Sequence, residues 1–371
     1  MFRLSHYMSQ LVAPTPPRRR PAGPVVVWDL SRPDPGEGLP PAAAIAVAGD
    51  LARVPLPVLV LAAGPPARAD LFDIAAAARR GVRRLVLSTD GAGLAGGSAD
   101  RLAEIGVDRV EIALAGIGHG HDRACARPGA WAEALAGLRA CRRRGIPVGL
   151  RVDLSGEIAG ALPELLDLCD AEGVSGFSLG HSAGRGGQAV KRSRRAMDLL
   201  IDRAWVGAAE GMPLDIVTGN AGADAVHFLR WAERRFDAGR VANLRAHLEA
   251  RDGERPRLAR IDARGRLHAG WSGGPLGDLR EASFSRLWAG AAAERAARGL
   301  AQAPTGPCAG CAYAGICGGP ARSRALRVGG DAPADAPACY LQGAQTGGAV
   351  GDGATVLPFR RRGRTPSPRF V

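Results

Sequence analysis

The sequence is poor in lysine and in aromatic residues, and its first third contains no cysteine. Lys191 is the only lysine among the 49 basic residues, aromatic side chains make up 5% of the chain, and the first cysteine is Cys125. The net charge of +13 therefore comes from arginines, which are spread along the chain with few aromatic residues between them to stack on bases. We do not expect nucleic acid to be the main partner.

Long hydrophobic runs are also missing. No stretch reaches the roughly eighteen consecutive apolar residues that a membrane-spanning helix needs, so we expect no membrane partner. The basic cluster Arg18–Arg20 follows the weakly apolar start of the chain, whereas a secretory signal has its basic residues first. We therefore expect a cytoplasmic protein, in which the seven cysteines serve as buried thiols or metal ligands rather than as disulfides.

What is present is a repeated alternation of strand and helix patterns. Continuous β-branched runs, separated by Ala-, Leu- and Arg-rich stretches, predict βαβ units with a parallel sheet buried on both faces. The periodicity alone fits either a doubly wound sheet or a barrel, closed or partial. The predicted strands are Val25–Leu30, Pro57–Ala62, Arg84–Thr89, Arg109–Ala115, Pro147–Leu154 and Val174–Leu179. The predicted helices between them are Ala42–Arg53, Ala69–Arg80, Ser98–Ile105, Pro128–Arg144 and Glu157–Glu172.

The pattern changes after Lys191. Two longer helices are predicted, Ser193–Gly211 and Ala223–Phe236, and the alternation around Gly265 predicts a hairpin over Arg260–Gly270. We therefore divide the chain into five parts. These are a basic, Pro-rich N-terminal segment (1–24), an α/β domain (25–190), a helical connector (191–254), a smaller cysteine-rich domain (255–344) and a disordered basic tail (345–371).

Four cysteines cluster near the C-terminus. Cys308, Cys311 and Cys317 have the spacing C-x2-C-x5-C, and Cys339 follows after 21 further residues. A two-residue gap lets both sulfurs of one turn face the same metal, and two later thiolates complete the shell. Four thiolates suit tetrahedral zinc or a [4Fe–4S] cluster, and the spacing does not choose between the two metals.

Two other segments could be interpreted as sites. The glycine-rich stretch "GAGLAG" (Gly91–Gly96) has the spacing of a dinucleotide fingerprint, but it follows the third predicted strand and is more simply a glycine-rich turn. The segment "GHGHDRACARPG" (118–129) carries two histidines, an aspartate and Cys125, and a polar loop is the simpler interpretation than a metal site. Cys141 and Cys169 fall in apolar helical patterns and are expected to be buried. No Ser/His/Asp set or pair of carboxylates is evident.

The C-terminal segment resembles the SPASM-type auxiliary-cluster domain of radical SAM proteins. The stretches that carry this resemblance are "GDLREASFSRLW", the cysteine set, "CGGPARSRA" and "GDAPADAPACYL". Upstream, "VVVWDL", "ARADLFDIAAAARRG" and "DIVTGNAGADAVHFLRW" are similar to the radical SAM proteins of haem d1 biosynthesis. The resemblance implies a partial (β/α)6 TIM-like barrel with a C-terminal SPASM-like domain. It also implies iron–sulfur rather than zinc at Cys308, Cys311, Cys317 and Cys339.

The sequence departs from that family where the catalytic cluster would be bound. The family's C-x3-C-x2-C loop corresponds to "WDLSRPDPGEGLPP", and its three cysteines would fall at Asp34, Gly38 and Pro41. One carboxylate does not replace three thiolates. Other family motifs have changed too, since the acidic residue that contacts the amine of S-adenosylmethionine corresponds to Pro65, and the Asn-Gly pair is Asp90-Gly91.

The resemblance and the departures together define the expected function. We expect a degenerate radical SAM/SPASM-type protein with one auxiliary [4Fe–4S] cluster and no radical SAM cluster of its own, acting as an accessory factor in haem d1 or tetrapyrrole cofactor biosynthesis. Its partner would be an intact radical SAM paralogue or another protein of that pathway. Two alternatives stay open: an enzyme that binds S-adenosylmethionine or another small molecule in the barrel for non-radical chemistry, and an interaction module with structural zinc.

Overall fold

The structure is a computed structural model of the chain. The described residues are 2–13, 23–31, 38–64, 68–181, 187–211, 214–219, 221–250, 258–270, 274–289 and 310–317. The predicted tail (345–371) and the positions Asp34, Pro65, Cys308 and Cys339 lie outside them.

Within the described ranges, eleven strands form a single sheet. Their order across it is β1-β8-β7-β6-β5-β4-β3-β2-β9-β10-β11. Strands β2 to β8 are all parallel and lie side by side in chain order, and β9 adds to β2 in the same direction. The strands are β1 (Phe2–Arg3), β2 (Val25–Asp29), β3 (Val58–Ala62), β4 (Leu85–Thr89), β5 (Arg109–Leu114), β6 (Val148–Leu154), β7 (Gly176–His181), β8 (Asp215–Thr218), β9 (Leu258–Ile261), β10 (Arg266–Ala269) and β11 (Gly277–Asp278).

Helices follow most of the parallel strands. The longest of those that connect two strands are α6, α7 and α8, and the side chain of Ser155 caps α7 by accepting a hydrogen bond from the Ile158 amide. The helices are α1 (Leu4–Val12), α2 (Pro41–Leu51), α3 (Leu71–Arg79), α4 (Ala99–Ile105), α5 (His119–Ala124), α6 (Ala130–Arg143), α7 (Gly156–Ala171), α8 (Gly187–Ala209), α9 (Ala221–Glu233), α10 (Ala238–Ala250), α11 (Phe284–Ala289) and α12 (Ala314–Cys317).

The strand order identifies a partial barrel. In a doubly wound sheet the order reverses at a switch point, whereas here each parallel strand from β2 to β8 neighbours the next along the chain, as in a TIM-like barrel. The predicted partial TIM-like α/β fold is confirmed, and the six predicted strands match β2 to β7 in position. Strand β8, at Asp215–Thr218, is a further parallel strand that the sequence analysis did not include.

The two faces of the sheet differ in character. Alternate residues such as Ile112, Leu150 and Phe177 are fully buried against the helices. The residues between them point to the opposite side, which we call the inner face. It consists, on β5 to β8, of the row Glu111, Gly149, Gly176 and Asp215 and the next row Ala113, Arg151, Ser178 and Val217.

The C-terminal hairpin and the N-terminus both extend this sheet. The predicted hairpin is observed as β9 and β10, and β9 pairs with β2 in parallel, so it continues the barrel sheet directly. At the other edge Phe2 and Arg3 pair antiparallel with β8. Among the described residues, no helix is both long and apolar enough to cross a membrane.

Candidate functional site

The loop after β2 is where the resemblance implies a radical SAM cluster. Of the three positions where its ligands would fall, Pro41 is the first residue of α2, a position that favours proline because the ring presets the helical φ angle and no amide hydrogen is needed. Gly38 has no side chain, and Asp34 lies outside the described residues. Since no cysteine occurs before Cys125, the residues of this loop do not fit the cluster.

The ends of β3 and β4 are the next positions where the resemblance implies contacts to S-adenosylmethionine. At the end of β4, Asp90 accepts a hydrogen bond from the Ala92 amide and forms a 3.1 Å ion pair with Arg127. At the end of β3, Ala63 and Gly64 offer no polar side chain. Of the positions that the resemblance implies for binding S-adenosylmethionine, Asp90 is thus engaged in structural contacts, and Pro65 lies outside the described residues.

The glycine-rich stretch after β4 packs against a helix. A methyl group on Gly91 would lie 2.9 Å from Cα of Ala134, and one on Gly137 would lie 2.4 Å from the carbonyl oxygen of Gly91. Both residues must be glycine to let this turn rest on α6. Close packing of the turn on α6 thus explains the glycines at 91 and 137, and no nucleotide-binding role is needed to account for them.

The histidine-rich segment contains α5 and ends immediately before α6. His121 is 1% exposed, and its Nδ1 accepts a hydrogen bond from the Ala115 amide at 3.0 Å, which leaves Nε2 directed to Cys125 Sγ at 3.6 Å. Burial lowers the pKa of His121. Asp122 accepts hydrogen bonds from the amides of Gly129 and Trp131, which lower its pKa. Within the described part of the chain no group of three metal-ligating side chains occurs, and residues His119–Ala124 of the predicted polar loop form the helix α5.

The inner face carries charged side chains on β5, β6 and β8. Arg109 lies 3.6 Å from Asp215, which also accepts hydrogen bonds from Arg3 at 3.3 Å and from Ser5 at 3.2 Å. Burial raises the pKa of Glu111, and the nearby guanidinium groups of Arg109 and Arg151 oppose that rise. At the amino end of the strands the arginines are therefore largely matched by carboxylates.

Arg151 differs from the other inner-face arginines. It stands near the middle of β6, is exposed, and within the described part of the chain forms no hydrogen bond or ion pair. Its neighbours in register are Ala113 and Ser178, so the space around its side chain is bordered by small residues. An exposed guanidinium that forms no hydrogen bond or ion pair with a described residue is available to bind a carboxylate or phosphate through two parallel hydrogen bonds.

A Ser/His/Asp set, which the sequence did not reveal, comes together where β7 and β8 end. His181 Nδ1 lies 3.4 Å from Ser193 Oγ, and His181 Nε2 lies 3.2 Å from Asp224, which also accepts a hydrogen bond from Thr218. All of these side chains are buried on the helix side of the sheet. The set joins β7 and β8 to α8 and α9, and it faces away from the inner face.

Two of the four predicted metal-ligating cysteines are described. Cys311 and Cys317 are partly exposed cysteines in one short segment, in which the Ala314 amide donates to the Cys311 carbonyl and the Cys317 amide to the Tyr313 carbonyl. Thiolates are the ligands that structural zinc and iron–sulfur clusters prefer. Cys141 and Cys169, in contrast, are buried within α6 and α7, and burial raises their pKa values to about 11 and about 12.

Comparison with known proteins adds the family. The family model described as "Radical SAM superfamily" matches residues 21–169. The chain is 45% identical over 409 aligned residues to "Pre-heme d1 synthase" from Dinoroseobacter shibae, with 100% of both chains covered. It is 31% identical over 314 residues to "Fe-coproporphyrin III synthase" from Methanosarcina barkeri, covering 80% of this chain and 78% of the relative.

Solved structures with the same fold have little sequence in common with this chain. Streptococcus suis SuiB bound to S-adenosylmethionine aligns with a TM-score of 0.59 at 12% identity, covering 80% of this chain and 70% of SuiB. Native anSMEcpe with bound AdoMet aligns with a TM-score of 0.61 at 10% identity, covering 87% of this chain and 95% of that protein. At these identities the likeness establishes the fold alone.

Proposed function

The chain belongs to the radical SAM superfamily, and from that premise we propose that it is an accessory protein of tetrapyrrole biosynthesis that has lost the family's own radical chemistry. In this proposal the barrel binds a tetrapyrrole intermediate of haem d1 or a related cofactor. The C-terminal cysteines hold one auxiliary [4Fe–4S] cluster. The catalytic partner is an intact radical SAM protein of the same pathway.

One contrast carries the proposal. The barrel that surrounds a radical SAM site is retained strand by strand, while the loop that would hold its cluster has no thiol and leads into α2 through Pro41. We expect a protein to retain the barrel and lose the cluster when it still binds a ligand in the barrel but no longer cleaves S-adenosylmethionine. The names of these two relatives refer to haem or porphyrin synthesis, which supports a tetrapyrrole as the ligand.

The chemistry of the inner face supports an acidic ligand. Tetrapyrrole intermediates carry several carboxylate side chains around an apolar macrocycle. Arg151 offers an exposed guanidinium that forms no hydrogen bond or ion pair among the described residues, and its register neighbours Ala113 and Ser178 are small. A charge-assisted hydrogen bond from arginine to a carboxylate is among the stronger polar contacts available to a protein.

The experiment that tests the proposal is anaerobic purification followed by analysis of iron, acid-labile sulfide and EPR. We expect about four iron atoms and about four sulfides per chain, abolished in Cys311→Ala and unchanged in Cys125→Ser, which alters an exposed thiol outside the cysteine set. We expect no 5′-deoxyadenosine when dithionite and S-adenosylmethionine are added. Zinc without iron would indicate an interaction module instead, and S-adenosylmethionine cleavage would refute the loss of radical chemistry.

A further inference from the structure

The segment that carries Cys311 and Cys317 rests on the start of α9. A methyl group on Gly222, the second residue of that helix, would lie 2.3 Å from the carbonyl oxygen of Cys317 and 3.1 Å from its Cα. Real Cβ atoms do not approach a backbone oxygen so closely. The backbone of Cys317 can therefore occupy its observed position only because residue 222 has no side chain.

Two further contacts hold the same segment in place. Ile316 is 1% exposed, so its side chain is packed into the protein next to Cys317. The guanidinium of Arg245, on α10, lies 5.5 Å from the centre of the Tyr313 ring and is oriented by a 2.9 Å ion pair with Glu233. The turn between the two cysteines is thus fixed against α9 and α10 by backbone, apolar and aromatic contacts.

We propose that Gly222 is a positioning residue of the cysteine metal site. It lies far from the cysteines in sequence, yet it sets where the sulfur of Cys317 can stand. The inference rests on the proposed metal binding by the cysteine set. Metal affinity depends strongly on groups that orient the ligands without touching the metal, and losing one such group typically weakens affinity about 10-fold or more.

The test compares Gly222→Ala with Gly160→Ala. Both changes add one methyl group to a helix, but residue 160 is exposed on α7 and a methyl group there meets nothing within 4 Å. Since α9 is anchored by buried residues such as Val226, Phe228 and Leu229, the cysteine segment should move rather than the helix. We expect Gly222→Ala to lose iron to EDTA about 10-fold faster than the wild type, and Gly160→Ala to match the wild type.

Alkylation of the metal-free protein provides an independent measurement. Mass spectrometry resolves each thiol, with exposed Cys125 as the internal reference and buried Cys141 and Cys169 as reporters of unfolding. We expect faster labelling of Cys317 in Gly222→Ala, with Cys141 and Cys169 still protected. This readout does not need bound metal, so it separates failure of this inference from failure of the proposed metal binding.

A second variant covers the case in which Gly222→Ala unfolds. Ile316→Ala removes a buried contact from the cysteine segment itself and should also accelerate both iron loss and labelling of Cys317. Wild-type iron retention and wild-type labelling in the folded variants would overturn the positioning role.

Discussion

Arg151 is the residue on which the proposed ligand binding depends most directly. It lies on the inner face between Ala113 and Ser178, is exposed, and forms no ion pair within the described part of the chain. Replacing it with glutamine removes the charge and keeps most of the length of the side chain. Arg151→Gln removes no hydrogen bond or ion pair among the described residues but does remove a charge that favours ionised Glu111, so the free energy of unfolding should fall by no more than about 1 kcal/mol.

The expected loss of affinity follows from the strength of the contact. A hydrogen bond to a charged group contributes about 1.5–3 kcal/mol, and about 1.4 kcal/mol corresponds to a tenfold change in Kd. One arginine–carboxylate contact is therefore worth about 10- to 100-fold in Kd. The loss should appear only for ligands that carry carboxylates.

Absorbance or fluorescence titration with coproporphyrin III, and with its methyl ester, measures this effect. Arg151→Gln should weaken binding of the free acid and leave binding of the ester unchanged. Arg143→Gln is the matched control, because Arg143 is an exposed arginine on α6, outside the inner face. Equal Kd values for the two variants, or the same loss with acid and ester, would refute the assigned role of Arg151.

Two predictions concern pH. Burial lowers the pKa of His121, so protonation of this imidazole is less favourable in the folded than in the unfolded protein. The folded state therefore keeps its full stability above pH about 6.5, where the histidine is neutral in both states, and loses stability as the pH falls below that value. In His121→Leu the melting temperature should depend less on pH over that range, and stability should fall by about 1–3 kcal/mol because the Ala115 amide loses its acceptor. The same change at exposed His119 should do neither. Burial raises the pKa of Glu111, so ionisation of this carboxyl costs stability as the pH rises through its raised pKa. Glu111→Gln should therefore raise the melting temperature near neutral pH and lose that advantage in acid. The control is Glu104→Gln, which alters an exposed carboxyl. If Glu111→Gln melts no higher than this control near neutral pH, the Glu111 carboxyl is not destabilised by burial.

The parallel strands were predictable because a strand that is buried on both faces has a continuous run of apolar residues. The predicted strand over Arg84–Thr89 corresponds to β4, in which all five residues are buried. On β5 and β6, however, charged residues alternate with apolar ones, as in Arg109 and Glu111 or Arg151 and Asp153. That alternation indicates that one face of these strands is not covered by helices, which continuous apolar runs do not reveal.

Short elements and long-range polar contacts were not predictable. Strand β8 has only four residues, and β1 has two, so neither is long enough to show a period. Ser193, His181 and Asp224 are separated by up to 43 residues along the chain, and no local pattern relates them.

The sequence by itself determined the strand and helix alternation, the cysteine set near the C-terminus and the absence of thiols where a radical SAM cluster would be bound. These are local properties, since each depends on residue type and spacing within one segment. The strand pattern alone left a doubly wound sheet and a barrel open, and the tertiary structure decided the strand order. Only the tertiary structure showed that Arg151 forms no ion pair with a described residue on the inner face and that Cys317 rests on Gly222. Such contacts join segments far apart in the chain, and their geometry depends on how the helices and strands pack, which residue spacing does not record.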